Sequence, residues 1–465
     1  MLTSFRIQGF KAWKDSGAIR MAPITAFFGT NSSGKTSLLQ FLLMLKQTAA
    51  SADRTQVLEL GGERSLVELG TYFDILHRES AALNLGEQSV SELKWDISWS
   101  LPDTYVIPDP EHVDQHLFES DTMRFEAAIA ALPEGGVEVE NMQYQFGSAR
   151  FGMVKKKGQQ KAAQYNLTVA DSPNFQPKRT RGRAWDLPPP SKCYGFPDQA
   201  RGYFQNTAFL SDLELRFEEM LSGIHYLGPL RERPSRQYSW GGSEPADMGR
   251  RGEAAIAALL ASRRSGDKIA LGKGRRSPTI EEHVASWLET LGLLEDFKVE
   301  EIAKGSNLYR VAVRDNSVSA QVLLTDVGFG ISQVLPVLVL AFYAPRGSTV
   351  ILEQPELHLH PSVQSKLADV IIEAAALRDI QFIIESHSEH FLIRLQRRIA
   401  EGTLQANDAA LYFCERRGSS SKVTPLEMDE FGNIKNWPAG FFGDAFADRE
   451  AAVRAGLARK RQSAI

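Results

Sequence analysis

Apolar residues near the start of the chain follow two patterns. Phe5, Ile7 and Gly9 alternate with polar neighbours, as in a half-buried strand. Ile24-Thr25-Ala26-Phe27-Phe28 is instead a short continuous apolar run, the pattern of a strand covered on both faces. A glycine-rich turn follows, and then Leu38, Leu39, Phe41, Leu42 and Leu45 recur at helical spacing across Ser37–Thr48. The order is strand, loop, helix.

From about 60 to 220 the pattern changes to strict alternation, at Leu93, Trp95, Ile97 and Trp99 and again at Met142, Tyr144 and Phe146, which predicts antiparallel strands. Between 171 and 201, Pro173, Pro177, Pro188–Pro190 and Pro197 interleave with basic residues and predict a long surface loop. No heptad pattern and no internal repeat runs through this stretch, so a long coiled coil is not expected.

Beyond 223 the helical period returns. Ala254–Ser262, Ile280–Leu294, Ser332–Tyr343, Ser362–Ala376 and Glu389–Ala400 read as helices. Leu308–Val313, Thr349–Leu352 and Gln381–Glu385 read as strands, the last two wholly apolar until their ends. Apolar strands alternating with helices predict an α/β sheet covered on both sides. The segments this implies are an N-terminal lobe (1–60), a β-rich insertion with a Pro/basic loop (61–222), a C-terminal lobe (223–405) and closing strands with a tail (406–465).

The composition is that of an ordinary globular chain, with 43% hydrophobic and 24% charged residues in 465. No apolar run approaches membrane-spanning length, and the N-terminus lacks the apolar core of a secretory signal. Cys193 and Cys414 are too few for a disulfide framework or a zinc site, which fits a reducing cytoplasm. The net charge of −4 does not suggest a general nucleic-acid binder. Basic residues nevertheless cluster at Lys155–Lys157 with Lys161, at Lys178, Arg179, Arg181 and Arg183, from Arg263 to Arg276, and at Arg459–Arg461. Taken singly, such clusters are most often solvated loops; together they permit a phosphate-binding surface.

The strongest chemical signal is Gly29-Thr-Asn31-Ser32-Ser33-Gly34-Lys35-Thr36, which fits GxxxxGK[ST] at every fixed position. Its glycines let backbone N–H groups turn around an anion. Lys35 can reach the outer phosphates of a nucleoside triphosphate, and the Thr36 hydroxyl can hold Mg²⁺. The helix that begins at the loop, with Ser37 in its first turn, adds its positive dipole end. The apolar strand Thr349–Leu352 ends at Glu353-Gln354-Pro355-Glu356, placing a carboxylate where a metal opposite the loop needs one. Ile383–Glu385 leads into Ser386-His387. A histidine at a strand end is usually structural, but this one lies one helix-plus-strand unit beyond Glu353 and is a candidate γ-phosphate sensor. Asp326-Val-Gly328-Phe-Gly330-Ile-Ser332-Gln333 opens a helix with glycines and a hydroxyl. That is either an anion site or a plain helix start capped by Ser332.

The segments FRIQGFKAW, ITAFFGTNSSGKTSLL, YLGPLRERP, DVGFGISQVLP, ILEQPELHLHP and IIESHSEHFL resemble the OLD-like, SMC-head-like ABC-class ATPases, often labelled AAA, of prokaryotic anti-phage systems such as Septu and PARIS. Phe431-Gly432, Trp437-Pro438 and Gly440-Phe-Phe442 resemble the uncharacterised C-terminal domain of one branch. The resemblance covers roughly 1–50, 223–245 and 323–445. It implies an ABC/SMC-type P-loop NTPase head with an antiparallel β subdomain and a large insertion between Walker A and signature. Two such heads would sandwich ATP-Mg²⁺ between them, as a dimer or within a higher oligomer. It further implies that Gly29 to Ser37 bind phosphate, that Thr36 and Glu353 serve Mg²⁺, that His387 is the switch histidine, and that Gly328, Gly330 and Ser332 belong to a signature contacting the other subunit's ATP.

Two departures from that family pattern bear on turnover. Gly330 stands where the signature serine belongs. Gln354 stands where these ATPases place the catalytic glutamate, and an amide can orient water but cannot take its proton. Either Glu356 substitutes, or hydrolysis is slow and ATP chiefly locks the dimer. His358 and His360 lack a cysteine or carboxylate at ligand spacing and read as interface residues rather than metal ligands. Residues 388–465 lack the Glu-then-Asp-x-Asp set of a Toprim nuclease, so the expected destructive partner is a separate effector, such as a nuclease. The alternative is a RecF-like or SMC-like DNA repair or recombination ATPase acting directly on DNA; DNA or RNA is a candidate partner. A transporter motor is disfavoured by the long insertion, and no membrane partner is expected.

Overall fold

The computed structural model describes residues 1–62, 65–77, 92–109, 116–132, 136–156, 164–172, 175–182, 186–272, 274–314, 320–438 and 454. Lys157, Lys161, Pro173, Arg183, Gly440–Phe442 and Arg459–Arg461, singled out above, lie outside them.

A six-stranded sheet runs through the middle in the order Ile224–Leu227, Thr349–Glu353, Gln381–Glu385, Ile24–Gly29, Ala409–Arg417, Ser420–Pro425. The first five strands are parallel and the last is an antiparallel edge. All six residues of Ile24–Gly29 are buried, as are all five of Thr349–Glu353 and of Gln381–Glu385, which is why these strands read as continuous apolar runs. Successive side chains enter different cores. Phe27, Ile351 and Ile383 pack on one side, and Ala26, Phe28, Leu352 and Ile384 on the other.

The second side is covered by helices Ala255–Ser265, Ile280–Thr290, Phe329–Tyr343, Pro361–Arg378 and Glu389–Ala400. The first side carries helix Lys35–Ala50, overlaid by an antiparallel sheet. In that sheet Leu2–Phe10 pairs with the short strands Trp13–Asp15 and Ile19–Arg20 and also with Glu92–Pro108. His116–Ala131, Val137–Phe146, Ala149–Lys155 and Tyr165–Ala170 then follow as a meander. Phe41 on the helix meets Phe10 and Trp95 edge-on, with ring centroids at 5.5 and 5.7 Å. Burying a ring of this kind stabilises by about 1.5–3 kcal/mol. The strands of the 61–222 segment thus join the N-terminal strand as one cover over the helix that follows the phosphate loop. Gln381 ties cover to sheet: its side chain accepts from Leu2 N (3.0 Å) and donates to Leu2 O (2.7 Å).

One local expectation is revised. The 171–201 stretch is exposed around Lys178–Gly182, but Cys193, Tyr194 and Phe196 are buried in the core. Tyr194 anchors them, accepting from Tyr144 Oη (2.9 Å) and donating to Glu218 (2.6 Å). Prolines flanking a short aromatic cluster hid a core segment inside a loop.

Candidate nucleotide site

Five parallel strands end at one edge of the central sheet, bringing together segments distant in sequence. Strand Ile24–Gly29 delivers the glycine-rich loop. Gly29 has φ 140°, and a Cβ there would sit 2.0 Å from Cys414 O; Gly34, at φ 88°, would push a Cβ to 2.9 Å from Ser421 Oγ. Both fixed glycines are therefore demanded by the neighbouring strands. Trp13 Nε1 donates to Gly34 O at 3.0 Å, so the antiparallel cover pins the loop.

Thr30, Asn31 and Ser32 are exposed and Ser33 is buried. The first turn of helix Lys35–Ala50 has no capping side chain and no acidic residue, which leaves its leading N–H groups and dipole for an anion. Lys35 Nζ lies along the loop, donating to Gly29 O (3.1 Å), Thr30 O (2.8 Å) and Ser33 Oγ (3.4 Å). Burial lowers its pKa, opposed by the neighbouring carboxyls of Glu385 and Glu356. Ser37 takes its place in the first helical turn, and with Ser32, Gly34 and Thr36 it lines a cleft of about 680 Å³ that continues to Lys11, Phe73 and Arg416.

Three buried carboxyls and two buried cations meet here. Thr36 Oγ1 donates to Glu385 Oε1 at 2.9 Å. Glu353 lies across from Glu385 in the parallel register and accepts from Tyr226 Oη at 3.1 Å. Glu356 Oε1 accepts the backbone N–H of His387 at 2.7 Å. Burial raises the pKa of all three, Glu353 to about 7, with Glu385 adding repulsion to Glu353 and Glu356 to Glu385. Arg231 is also buried, its pKa lowered to about 10 by desolvation against the pull of Tyr226, Glu353 and Glu356. Its Nη2 reaches Glu353 O at 3.4 Å, while Nε and Nη1 have no hydrogen-bond partner. His387 is half-buried, and burial and the Lys35 charge both lower its pKa, favouring a neutral ring.

Glu353, Glu356 and His387 thus stand with Lys35 and Thr36 at one strand edge. Gln354 stands there too, at φ 43°, with its N–H donated to Glu385 O at 2.8 Å. Gly328, Gly330 and Ser332 lie at the start of helix Phe329–Tyr343, where a Cβ on Gly330 would come 3.5 Å from His358 O. The helix starts at Phe329 with Gly328 as N-cap, and Ser332, expected as a possible cap, lies inside the first turn and donates to Phe329 O at 2.7 Å. Phe329 is 52% exposed and packs edge-on against His358 at 5.2 Å. His360 caps helix Pro361–Arg378. Among the described residues no group of three metal-ligating side chains is found.

Sequence reasoning missed Glu385 and Tyr226 as site members, and left Arg231, with Arg233, open between a phosphate contact to the other subunit and a surface turn set by Pro229 and Pro234. Glu385 had a visible signal, a carboxylate closing an apolar strand as Glu353 does. Arg231 had only its place in YLGPLRERP; it points inward, whereas Arg233 is exposed.

The donor set fits ATP with a divalent cation: a backbone cradle, a lysine, a hydroxyl, and buried carboxylate oxygens of Glu356 and Glu385 without hydrogen-bond partners. Among the described residues no helix is long and apolar enough to cross a membrane.

A family model described as "AAA domain, putative AbiEii toxin, Type IV TA system" matches residues 24–393, and a second, "Protein of unknown function (DUF3696)", matches residues 404–451. No curated protein matches the chain significantly. Similar solved structures include an SMC head bound to the C-terminal winged-helix domain of ScpA (12% identity, TM-score 0.45, covering 92% of this chain and 98% of that one). Another is the SMC head domain from Thermotoga maritima (11% identity, TM-score 0.41, 92% and 99% covered). A third is a Smc head with extended coiled coil, bound to the C-terminal domain of ScpA, derived from Pyrococcus furiosus (11%, TM-score 0.45, 92% and 96% covered).

Proposed function

Since the chain belongs to the AAA-domain family described as a putative AbiEii toxin of type IV toxin–antitoxin systems, we propose that it is an ABC-class ATPase that binds ATP-Mg²⁺, hydrolyses it slowly and uses the bound nucleotide to gate head-to-head pairing. Through that pairing it controls a separate effector, such as a nuclease, in anti-phage defence. The observation that carries the reading is the meeting of Thr36 with Glu385, and of Glu356 with His387, beside Lys35 at one sheet edge.

In this reading the loop from Gly29 to Ser37 binds phosphate, with Asn31, Ser32 and Ser33 presenting its rim and Lys35 countering charge. Thr36 and Glu353 hold Mg²⁺, which when bound supplies charge neutralisation at the phosphates. Glu356 and Gln354 position water, Glu356 as its proton acceptor, and neutral His387 donates its ring N–H to the outer phosphate. Gly328, Gly330 and Ser332, at the start of their helix and bordered by exposed Phe329, serve the partner's nucleotide. ATP binding by equilibrium dialysis, with phosphate release followed in parallel, tests this. Retained affinity after Lys35→Ala removes the loop from the account.

A second reading, direct action on nucleic acid, draws on exposed Arg179 and Arg181, which line a cleft of about 940 Å³. ATP-dependent DNA affinity with a steep salt slope, lost in an Arg179→Ala/Arg181→Ala variant, would favour it.

A further inference from the structure

Glu385 is a member of the site to which the reading above gives no role of its own. It closes strand Gln381–Glu385 directly across from Glu353, and it is 3% exposed. Its Oε1 accepts the Thr36 hydroxyl at 2.9 Å, and its Oε2 is buried with no hydrogen-bond partner. Neighbouring Lys35 directs its ammonium to Gly29 O, Thr30 O and Ser33 Oγ instead. A buried carboxylate with an open oxygen is costly, and a cation is what compensates one.

Direction matters as well. A hydroxyl has one hydrogen and two lone pairs. Because the Thr36 hydrogen points to Glu385, its lone pairs face away, which is the orientation a metal ligand needs.

We propose that Glu385 is a positioning residue for the divalent cation that accompanies the triphosphate: its Oε1 fixes the Thr36 hydroxyl so that the hydroxyl's lone pairs are free for the cation. This rests on the nucleotide-site reading and adds to it a residue that orients a ligand of the cation.

The test is the ratio of ATP affinities in Mg²⁺ and in EDTA, measured by calorimetry on the full chain for wild type, Glu385→Ala and Glu385→Gln. Wild type should bind more tightly with Mg²⁺. Glu385→Ala, which loses the acceptor for Thr36, should lower that ratio by about 10–100-fold, the usual cost of losing a group that orients a metal ligand, and Glu385→Gln, which keeps an acceptor oxygen, should restore most of it. Mn²⁺ binding to the nucleotide-free chain, followed by electron paramagnetic resonance, should weaken in Glu385→Ala in the same sense. Should Glu385→Ala fail to fold by thermal melting, Glu385→Asp, too short to reach Thr36, should lower Mn²⁺ affinity likewise. An unchanged ratio and unchanged Mn²⁺ affinity overturn the role of Glu385 while leaving the nucleotide site standing. A wild type that binds no ATP even with Mg²⁺ overturns both.

Discussion

Glu356 Oε1 accepts the backbone N–H of His387 at 2.7 Å, joining the turn after one strand to the turn after the next. The carboxylate proposed to stand in for the missing acid at Gln354 thus also holds the turn that carries the histidine. Glu356→Gln keeps an oxygen to accept that N–H but removes the proton acceptor. ATP affinity should hold, while phosphate release, in wild type below about 10 s⁻¹, should fall by about 100-fold or more. Unchanged hydrolysis would take Glu356 out of the chemistry.

Arg231 is the second cation of the cluster, set among Tyr226, Glu353 and Glu356. Arg231→Met keeps length and loses charge, so two buried carboxyls lose their compensation. Urea titration should show a loss of about 3 kcal/mol, as when one member of a buried charged group is removed. A stability equal to wild type would show that the carboxyls are already neutral in the folded chain.

A pH dependence arises on the far side of the sheet. His283 is 6% exposed, packs edge-on against Phe342 at 4.5 Å, and has its pKa lowered to about 4 by burial. Glu373, 3.6 Å from its Nε2, is raised by burial in turn, so both side chains favour their neutral forms. Unfolded His283 takes a proton below about 6.5, whereas in the fold it stays neutral until about 4. The unfolded state thus binds the extra proton between those values, and stability falls as pH drops from 6.5 to 4. The ring borders an open cleft, and screening limits the loss to about 2 kcal/mol. His283→Phe should flatten this part of the urea midpoint-versus-pH curve relative to wild type; parallel curves would contradict it.

Much of the central sheet was legible because its strands are buried on both faces. Gln381–Glu385 and Glu389–Ala400 fall where the apolar run and the helical period place them. Strand partners were not legible. Alternation shows that Leu93 to Trp99 forms a strand with one buried face, but not that it pairs with Leu2–Phe10, since any alternating neighbour would satisfy the same pattern. The site was legible where spacing itself is chemistry, as in Gly29 to Thr36. It was not where two residues meet only through topology: Thr36 and Glu385 are 349 positions apart. Tyr226 and Arg231 come from an element whose sequence shows only a strand end and a proline-bounded turn.

The central claim is that ATP held by Lys35 and its loop controls pairing of two copies of the chain. Mass photometry of wild type and Lys35→Ala, each with and without ATP-Mg²⁺, tests it most directly. Wild type should shift from single chains to dimers, or to multiples of dimers, only when ATP-Mg²⁺ is present, and Lys35→Ala should not respond. A wild-type mass distribution indifferent to ATP-Mg²⁺, or a Lys35→Ala variant that responds as wild type does, would contradict it.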